Sequence, residues 1–136
     1  MAFDIKKINT AGKSEEGYEF ELKLPDGNGT GAYITVRGEY SATVRNHLKK
    51  KINEYQVKAK VAERKKQAVE EPTLDEIEDE IREKAIVRIV TWRGFTEGKT
   101  EVPFSVEAAN ELLKNNPWIQ EQIMEESSNL SNFLGK

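Results

Sequence analysis

Tyr18-Glu19-Phe20-Glu21-Leu22-Lys23-Leu24, then Pro25-Asp26-Gly27-Asn28-Gly29-Thr30-Gly31, then Ala32-Tyr33-Ile34-Thr35-Val36-Arg37, is the stretch on which the fold turns. Tyr18, Phe20, Leu22 and Leu24 alternate with Glu19, Glu21 and Lys23, so an extended segment here has one apolar and one charged face. Ala32, Ile34 and Val36 repeat the pattern against Tyr33, Thr35 and Arg37. The intervening glycines and Asn28 tolerate the positive φ of a tight turn. The expectation is an antiparallel strand pair, with Phe3-Asp4-Ile5 as an edge strand. Two strands are marginal alone and need something to pack on.

The glycine-rich turn invites comparison with a phosphate loop. It lacks the Gly-Lys-Ser/Thr ending that supplies the phosphate-reading lysine, and no helix start follows it. As half of a calcium loop it lacks the closing bidentate glutamate.

Downstream the period changes. Ser41 is placed to cap a helix on which Val44, Leu48, Ile52, Tyr55, Ala59 and Ala62 recur every three or four residues, a narrow apolar stripe. After Tyr55 only alanines continue it, so that end is expected to project or fray, with Glu70-Glu71-Pro72 as the break. Thr73-Leu74-Asp75-Glu76 reads as a capping box. Leu74, Ile77, Ile81, Ala85, Ile89 and Trp92 predict a second helix running to Trp92, with Gly94 as its C-cap. Residues 100–104 look extended. Ser105 caps a short helix with Ala108, Leu112 and Leu113. Asn116 and Pro117 open a last one carrying Ile119, Ile123, Ser127, Leu130 and Leu134.

The fold class expected is therefore α+β: a small N-terminal antiparallel hairpin or sheet, then a mainly helical body with a long charged helical hairpin and two C-terminal helices. The stretches are 1–40 (β subdomain), 41–93 (hairpin) and 94–136 (C-terminal helical subdomain), together forming one domain, the usual number for 136 residues.

Composition narrows the chemistry. Apolar residues make up 37% and charged ones 33%, which implies a small core and long solvated helical faces. The absence of cysteine removes disulfides, thiolate metal sites and cysteine nucleophiles. A single histidine, His47, excludes a metal site made from several histidines, and it reads as a solvated or partner-facing side chain rather than a catalytic one. The carboxylates from Glu70 to Glu83 suit a solvated helix start better than a metal centre. No catalytic residue, metal ligand or cofactor emerges, and the chain reads as a non-enzyme. Met1-Ala2-Phe3-Asp4 lacks the features of a signal peptide, and no stretch is apolar enough to span a bilayer.

The net charge of −3 conceals a division. Arg45, Lys49, Lys50, Lys51, Lys58, Lys60, Arg64, Lys65 and Lys66 form a basic block. Residues 70–83 carry eight acids against Arg82 alone. An antiparallel hairpin broken at Pro72 is expected to bring Arg64 and Lys65 to Asp75 and Glu76, and Lys58 to Glu83.

The C-terminal part carries a resemblance. Ile89-Val90-Thr91-Trp92-Arg93-Gly94-Phe95, then Val102-Pro103-Phe104-Ser105, Leu112-Leu113, Trp118-Ile119-Gln120-Glu121-Gln122-Ile123 and Asn129-Leu130-Ser131-Asn132-Phe133, resembles the small tail assembly chaperones of long-tailed bacteriophages and prophages. The structural motif residues are Trp92, Gly94, Pro103, Phe104, Leu112, Leu113 and Phe133. The resemblance implies a protein that coats the tape measure protein, helps recruit tail tube subunits, self-associates, works in the host cytoplasm and is absent from the finished virion. The partner-facing residues expected are Val44, Leu48, Ile52, Tyr55, Ile77, Ile81, Ile123 and Leu130, because helix-in-groove binding needs an apolar stripe and a charged rim. Two other readings stand beside it: a nucleic-acid-binding phage accessory protein using the basic helix 45–66, and a structural virion protein such as a head-tail connector or tail component.

Overall fold

The alternating stretch forms β1 (Tyr18–Lys23) and β2 (Gly29–Val36), antiparallel, with Phe20 opposite Ile34. These coordinates are a computed structural model that describes residues 2–135. The turn closes as its residues dictate: the Asp26 carboxylate accepts the Asn28 N–H at 2.9 Å, and Gly27 sits at φ 91°. A third strand, β3 (Ile89–Arg93), pairs with the other edge of β2 and sets Trp92 opposite Ile34.

That strand corrects the helix expected to reach Trp92. Helix α3 (Leu74–Val87) stops after Val87, Arg88 makes the turn, and Gly94 follows a strand rather than capping a helix. Ile89, Val90 and Thr91 are β-branched, which weakens helix and suits a pleated surface. The open edge of β2 supplies the hydrogen bonds that decide it.

Ahead of the sheet lies α1 (Thr10–Glu16), which the apolar pattern does not announce. Asn9 caps it by accepting the Gly12 N–H at 2.9 Å. Phe3-Asp4-Ile5 forms no strand. It is exposed and leads into a turn held by the Asp4 carboxylate on the Lys6 N–H.

Helix α2 (Ala42–Arg64) begins at Ser41, whose Oγ accepts the Val44 N–H at 3.2 Å. Its first turn has no acid of its own. Glu15 from α1 serves instead, accepting from the Thr43 N–H at 3.0 Å and from the Thr43 hydroxyl, an anion at the positive end of the helix. These bonds hold the Glu15 carboxyl below the usual carboxylate range. The helix ends eight residues before Pro72. The Lys66 N–H meets the Glu63 carbonyl, the Gln67 N–H meets the Ala62 carbonyl, and Lys66 lies at φ 54°, so a lysine takes the position that glycine usually fills in this helix stop. α3 starts at Thr73, whose Oγ1 accepts the Glu76 N–H.

Beyond β3, a small hairpin of β4 (Thr96–Glu97) and β5 (Thr100–Glu101) leads to α4 (Val106–Asn115), capped by Ser105, and α5 (Pro117–Ser128). A short 3₁₀ turn, Leu130–Phe133, follows. Leu130 thus stands off the last helix rather than on it, because Asn129 leaves helical conformation and caps the turn.

The core lies under one face of the sheet. Phe20, Leu22, Ile34 and Val36 meet Ile89 and Trp92 of β3, Ala85 of α3, Ala109 and Leu113 of α4, and Ile119 and Ile123 of α5. Each fully buried large aliphatic contributes about 1.5–3 kcal/mol. The opposite face is polar and carries Glu19, Tyr33 and Arg93, one from each strand, with Arg93 directly opposite Tyr33 and Glu19 set diagonally to them. The Arg93 guanidinium lies 4.0 Å over the Tyr33 ring and donates twice to Glu19, both at 2.9 Å. The architecture is α+β, with a small antiparallel sheet and a mostly helical remainder.

Candidate partner-binding surface

Helix α2 is anchored at its base and bare along its length. Of its 23 residues only Val44 is buried. α3 runs antiparallel beside it, since residue numbers fall on α3 as they rise on α2: Val44 shares a cleft with Val87 and Arg88, while Lys51 pairs with Glu83. The Lys51 ammonium sits 3.0 Å from Glu83, and that hydrogen bond raises its pKa. His47 lies 3.5 Å from the same carboxylate and is nearly buried rather than solvated. Burial pushes its pKa below the ordinary 6.5, with Glu83 opposing.

The ion pairs therefore sit in a register other than the one expected. Glu83 meets Lys51 in place of Lys58, and among the described residues Arg64 and Lys65 make no ion pair with Asp75 or Glu76. The connection from 65 to 73 is a long loop rather than a tight turn, so the start of α3 need not lie beside the end of α2.

Beyond this junction the two helices leave apolar side chains in water. Leu48 is 39% exposed, Ile52 48% and Tyr55 63%; on α3, Ile77 is 41% and Ile81 48% exposed. A cleft of ≈ 520 Å³ between the helices is lined by Leu48, Ile52 and Tyr55 from α2 and by Glu80 and Lys84 from α3. Ile77 lies three residues before Glu80 and Ile81 three before Lys84, and Ile81 borders a second cleft with Leu113, Pro117 and Gln120. Val57, Val61 and Leu74 extend the exposed apolar set. The first two fall off the stripe read from spacing, and only their side-chain type signals them.

Two expected contact residues are elsewhere. Ile123 is fully buried between α5 and the sheet, and Val44 is buried where α2 starts. Both belong to the fold and present nothing to a partner. Leu130 is exposed on the 3₁₀ turn, away from the α2–α3 cleft. Of the motif residues, Trp92, Leu113 and Phe133 are buried, Phe104 and Leu112 partly so, and Pro103 is exposed. The Trp92 indole N–H donates to the Val102 carbonyl at 2.8 Å, and its ring packs 4.5 Å from Phe95 and 5.2 Å from Phe104.

A buried polar junction supports the base of the hairpin. The Arg88 guanidinium donates to Ser127 Oγ at 3.1 Å and to the Lys84 carbonyl at 2.9 Å, with Glu39 at 3.7 Å. Ser127 in turn donates to the Arg37 carbonyl at 2.6 Å. Desolvation lowers the Arg88 pKa. Sequence reading missed this junction, since a lone arginine between apolar residues has no periodic signature.

Among the described residues no group of three or more histidines or carboxylates is placed to hold a metal ion, and no helix is long and apolar enough to cross a membrane. Residues 41–136, about seven-tenths of the chain, match the family model described as YdaY prophage protein. The chain belongs to that family. No curated protein and no solved structure matches it.

Proposed function

We propose that this YdaY-family prophage protein is a tail assembly chaperone that binds the tape measure protein, shields its apolar surface and helps recruit tail tube subunits. The observation that carries the reading is the exposed apolar surface of the hairpin: Leu48, Ile52 and Tyr55 line an open cleft with lysines and glutamates at its rim, and Ile77 and Ile81 stand half-exposed on α3. Such a surface accepts the apolar stripe of a long helix without any catalytic group. The protein acts by contact alone, in the host cytoplasm, and leaves before the virion is complete. Residues 92–133, which carry the resemblance to tail assembly chaperones, build the scaffold that holds this face.

The test is co-expression with the tape measure protein from the same prophage. Soluble complex is expected from the wild-type chain and its loss from Ile52→Glu combined with Tyr55→Glu. A tape measure protein that aggregates equally with and without the chain, with no complex recovered, refutes the reading.

One observation favours a second reading. Arg45, Lys49, Lys50, Lys58 and Lys60 make no ion pairs among the described residues, so the acidic helix does not neutralise the basic one. Nucleic-acid binding through this face predicts a steep loss of affinity with salt. No DNA shift at low salt removes it.

A further inference from the structure

We propose that the cleft between the first turns of α2 and the last turn of α3 binds a phosphate group, either the free ion or the terminal phosphate of a small molecule. The inference goes beyond the chaperone reading and stands without it.

The cleft is small, ≈ 280 Å³, just under the span of about 300–1,000 Å³ usual for small-molecule sites. Its lining holds the permanent charges of Arg45, Lys51, Lys84 and Arg88 against one carboxylate, Glu39. That excess stands in a chain whose net charge is −3. Little of it is neutralised from within. Glu83 takes Lys51 at 3.0 Å, while Arg45 and Lys84 make no ion pair among the described residues. Leu48 and Val87 flank the cations with apolar surface, which keeps the local dielectric low and strengthens their field.

Arg88 is the more specific sign. Its side chain is only 9% exposed. Nε donates to Ser127 and Nη1 to the Lys84 carbonyl. Among the described residues Nη2 makes no hydrogen bond. Glu39 Oε1 lies 3.7 Å from it and already accepts from Ser128 Oγ at 3.0 Å. A buried guanidinium with donors unmet is costly unless an acceptor reaches it. An oxyanion entering this cleft supplies that acceptor through a charge-assisted bond. Cations converging from two helices suit a dianion with several acceptor oxygens better than a single carboxylate.

His47 lines the same cleft. Its Nε2 is buried without a hydrogen bond, 3.5 Å from Glu83. It is the one histidine of the chain, so a single imidazole reports on the site.

The test is an NMR titration of the His47 imidazole in the full-length chain with inorganic phosphate, above about pH 7, where phosphate is mostly dianionic. Ionic strength is held constant with chloride. Saturable shifts with a dissociation constant of roughly millimolar or below are expected. Sulfate, a dianion throughout, should also raise the His47 pKa, which burial first and then Lys51, Arg88 and Lys50 hold below 6.5 against Glu83. Replacing Arg88 would also break its bonds to Ser127 and Lys84, so the cleft is tested through exposed residues. Arg45→Ala with Lys84→Ala should weaken phosphate binding by about tenfold or more. Lys49→Ala with Lys60→Ala removes the same charge outside the cleft and should change it by less than about twofold. A nucleoside 5′-monophosphate that binds about tenfold tighter than phosphate identifies a nucleotide as the source, and equal affinity identifies the free ion. Signals that drift without saturating, or equal affinity in the two double variants, overturn the proposal. So does displacement of phosphate by a single-stranded oligonucleotide that lacks terminal phosphates, which would give the cleft to a nucleic-acid backbone.

Discussion

Gly94→Ala separates the strand at residues 89–93 from the helix that spacing alone suggests. Gly94 sits at φ 82°, where a non-glycine residue costs about 1–2 kcal/mol. A Cβ there stands 2.6 Å from the Gly31 carbonyl oxygen and 3.1 Å from Ala32 Cα, both backbone atoms of β2. Neither can rotate away, so β2 or β3 must shift next to the Tyr33–Arg93 pair, an overpacking cost of about 1–3 kcal/mol. The total is about 2–5 kcal/mol. Gly98→Ala is the control: its φ is 62°, and nothing lies within 4 Å of the added methyl. It bears only the backbone cost, about 1–2 kcal/mol. The entropy that alanine removes from the unfolded chain is the same in both and cancels in the comparison. With a urea slope of about 2 kcal/mol/M, the Gly94 variant should lose roughly 1–2.5 M of midpoint and the Gly98 variant roughly 0.5–1 M. Equal losses would refute the packing of Gly94 against β2, since a glycine ending a solvated helix bears only the backbone cost.

Three further perturbations follow from the geometry. Lys66→Gly removes the left-handed strain at the end of α2 and should raise stability by about 1 kcal/mol, read as a higher urea midpoint; a lower midpoint contradicts the assigned helix stop. Ser127→Ala strips the Arg37 carbonyl and the Arg88 Nε of their shared partner and should cost about 1–3 kcal/mol, whereas a loss within 0.5 kcal/mol of zero is expected only if the junction is wet. The folded-state pKa of His47 is depressed, chiefly by burial, so the fold prefers the neutral imidazole; its contribution is complete above the ordinary value of 6.5 and is lost as pH falls through the lower folded value. His47→Gln should flatten the stability profile in that window while leaving the steeper loss at lower pH, where Glu15 is protonated. An unchanged slope between pH 6.5 and the carboxylate range points to another group.

The parts of the fold that were legible in the sequence are those where one physical signal stood alone. Phe20, Leu22, Ile34 and Val36 alternate with charge, so the hairpin follows from period two. Ser41, Thr73 and Ser105 cap helices at the positions their hydroxyls mark. Where signals compete, spacing misleads. Ala85, Ile89 and Trp92 satisfy helical spacing, yet Ile89 and Trp92 also satisfy a bulged strand, and only the free edge of β2, a feature remote in sequence, decides between them. Helix α1 buries no apolar side chain, only Ser14, so it leaves no hydrophobic period to read. Which of the expected contact residues are buried and which are exposed was not legible, for one reason. An apolar stripe at helical spacing looks the same whether it faces a core, as Ile123 does, or water, as Ile52 and Tyr55 do.

That distinction bears on how tightly the exposed face can hold an occupant. A 23-residue helix is about 34 Å long, and α2 uses little more than its first turns to join the body. The remainder adds length, charge and half-exposed apolar side chains that the fold itself does not use. Covering Leu48, Ile52, Tyr55, Ile77 and Ile81 recovers roughly 1 kcal/mol each, since about half of the 1.5–3 kcal/mol available from each is still exposed. A matching surface on the occupant brings the gain to about 10 kcal/mol, set against an association cost of about 4–15 kcal/mol. The balance is small, so an occupant of this face binds reversibly, and a few charges at the rim weigh heavily in choosing it. The chaperone reading proposed above requires that balance, because on that reading a fully apolar groove in place of this one would hold its client past the point of assembly.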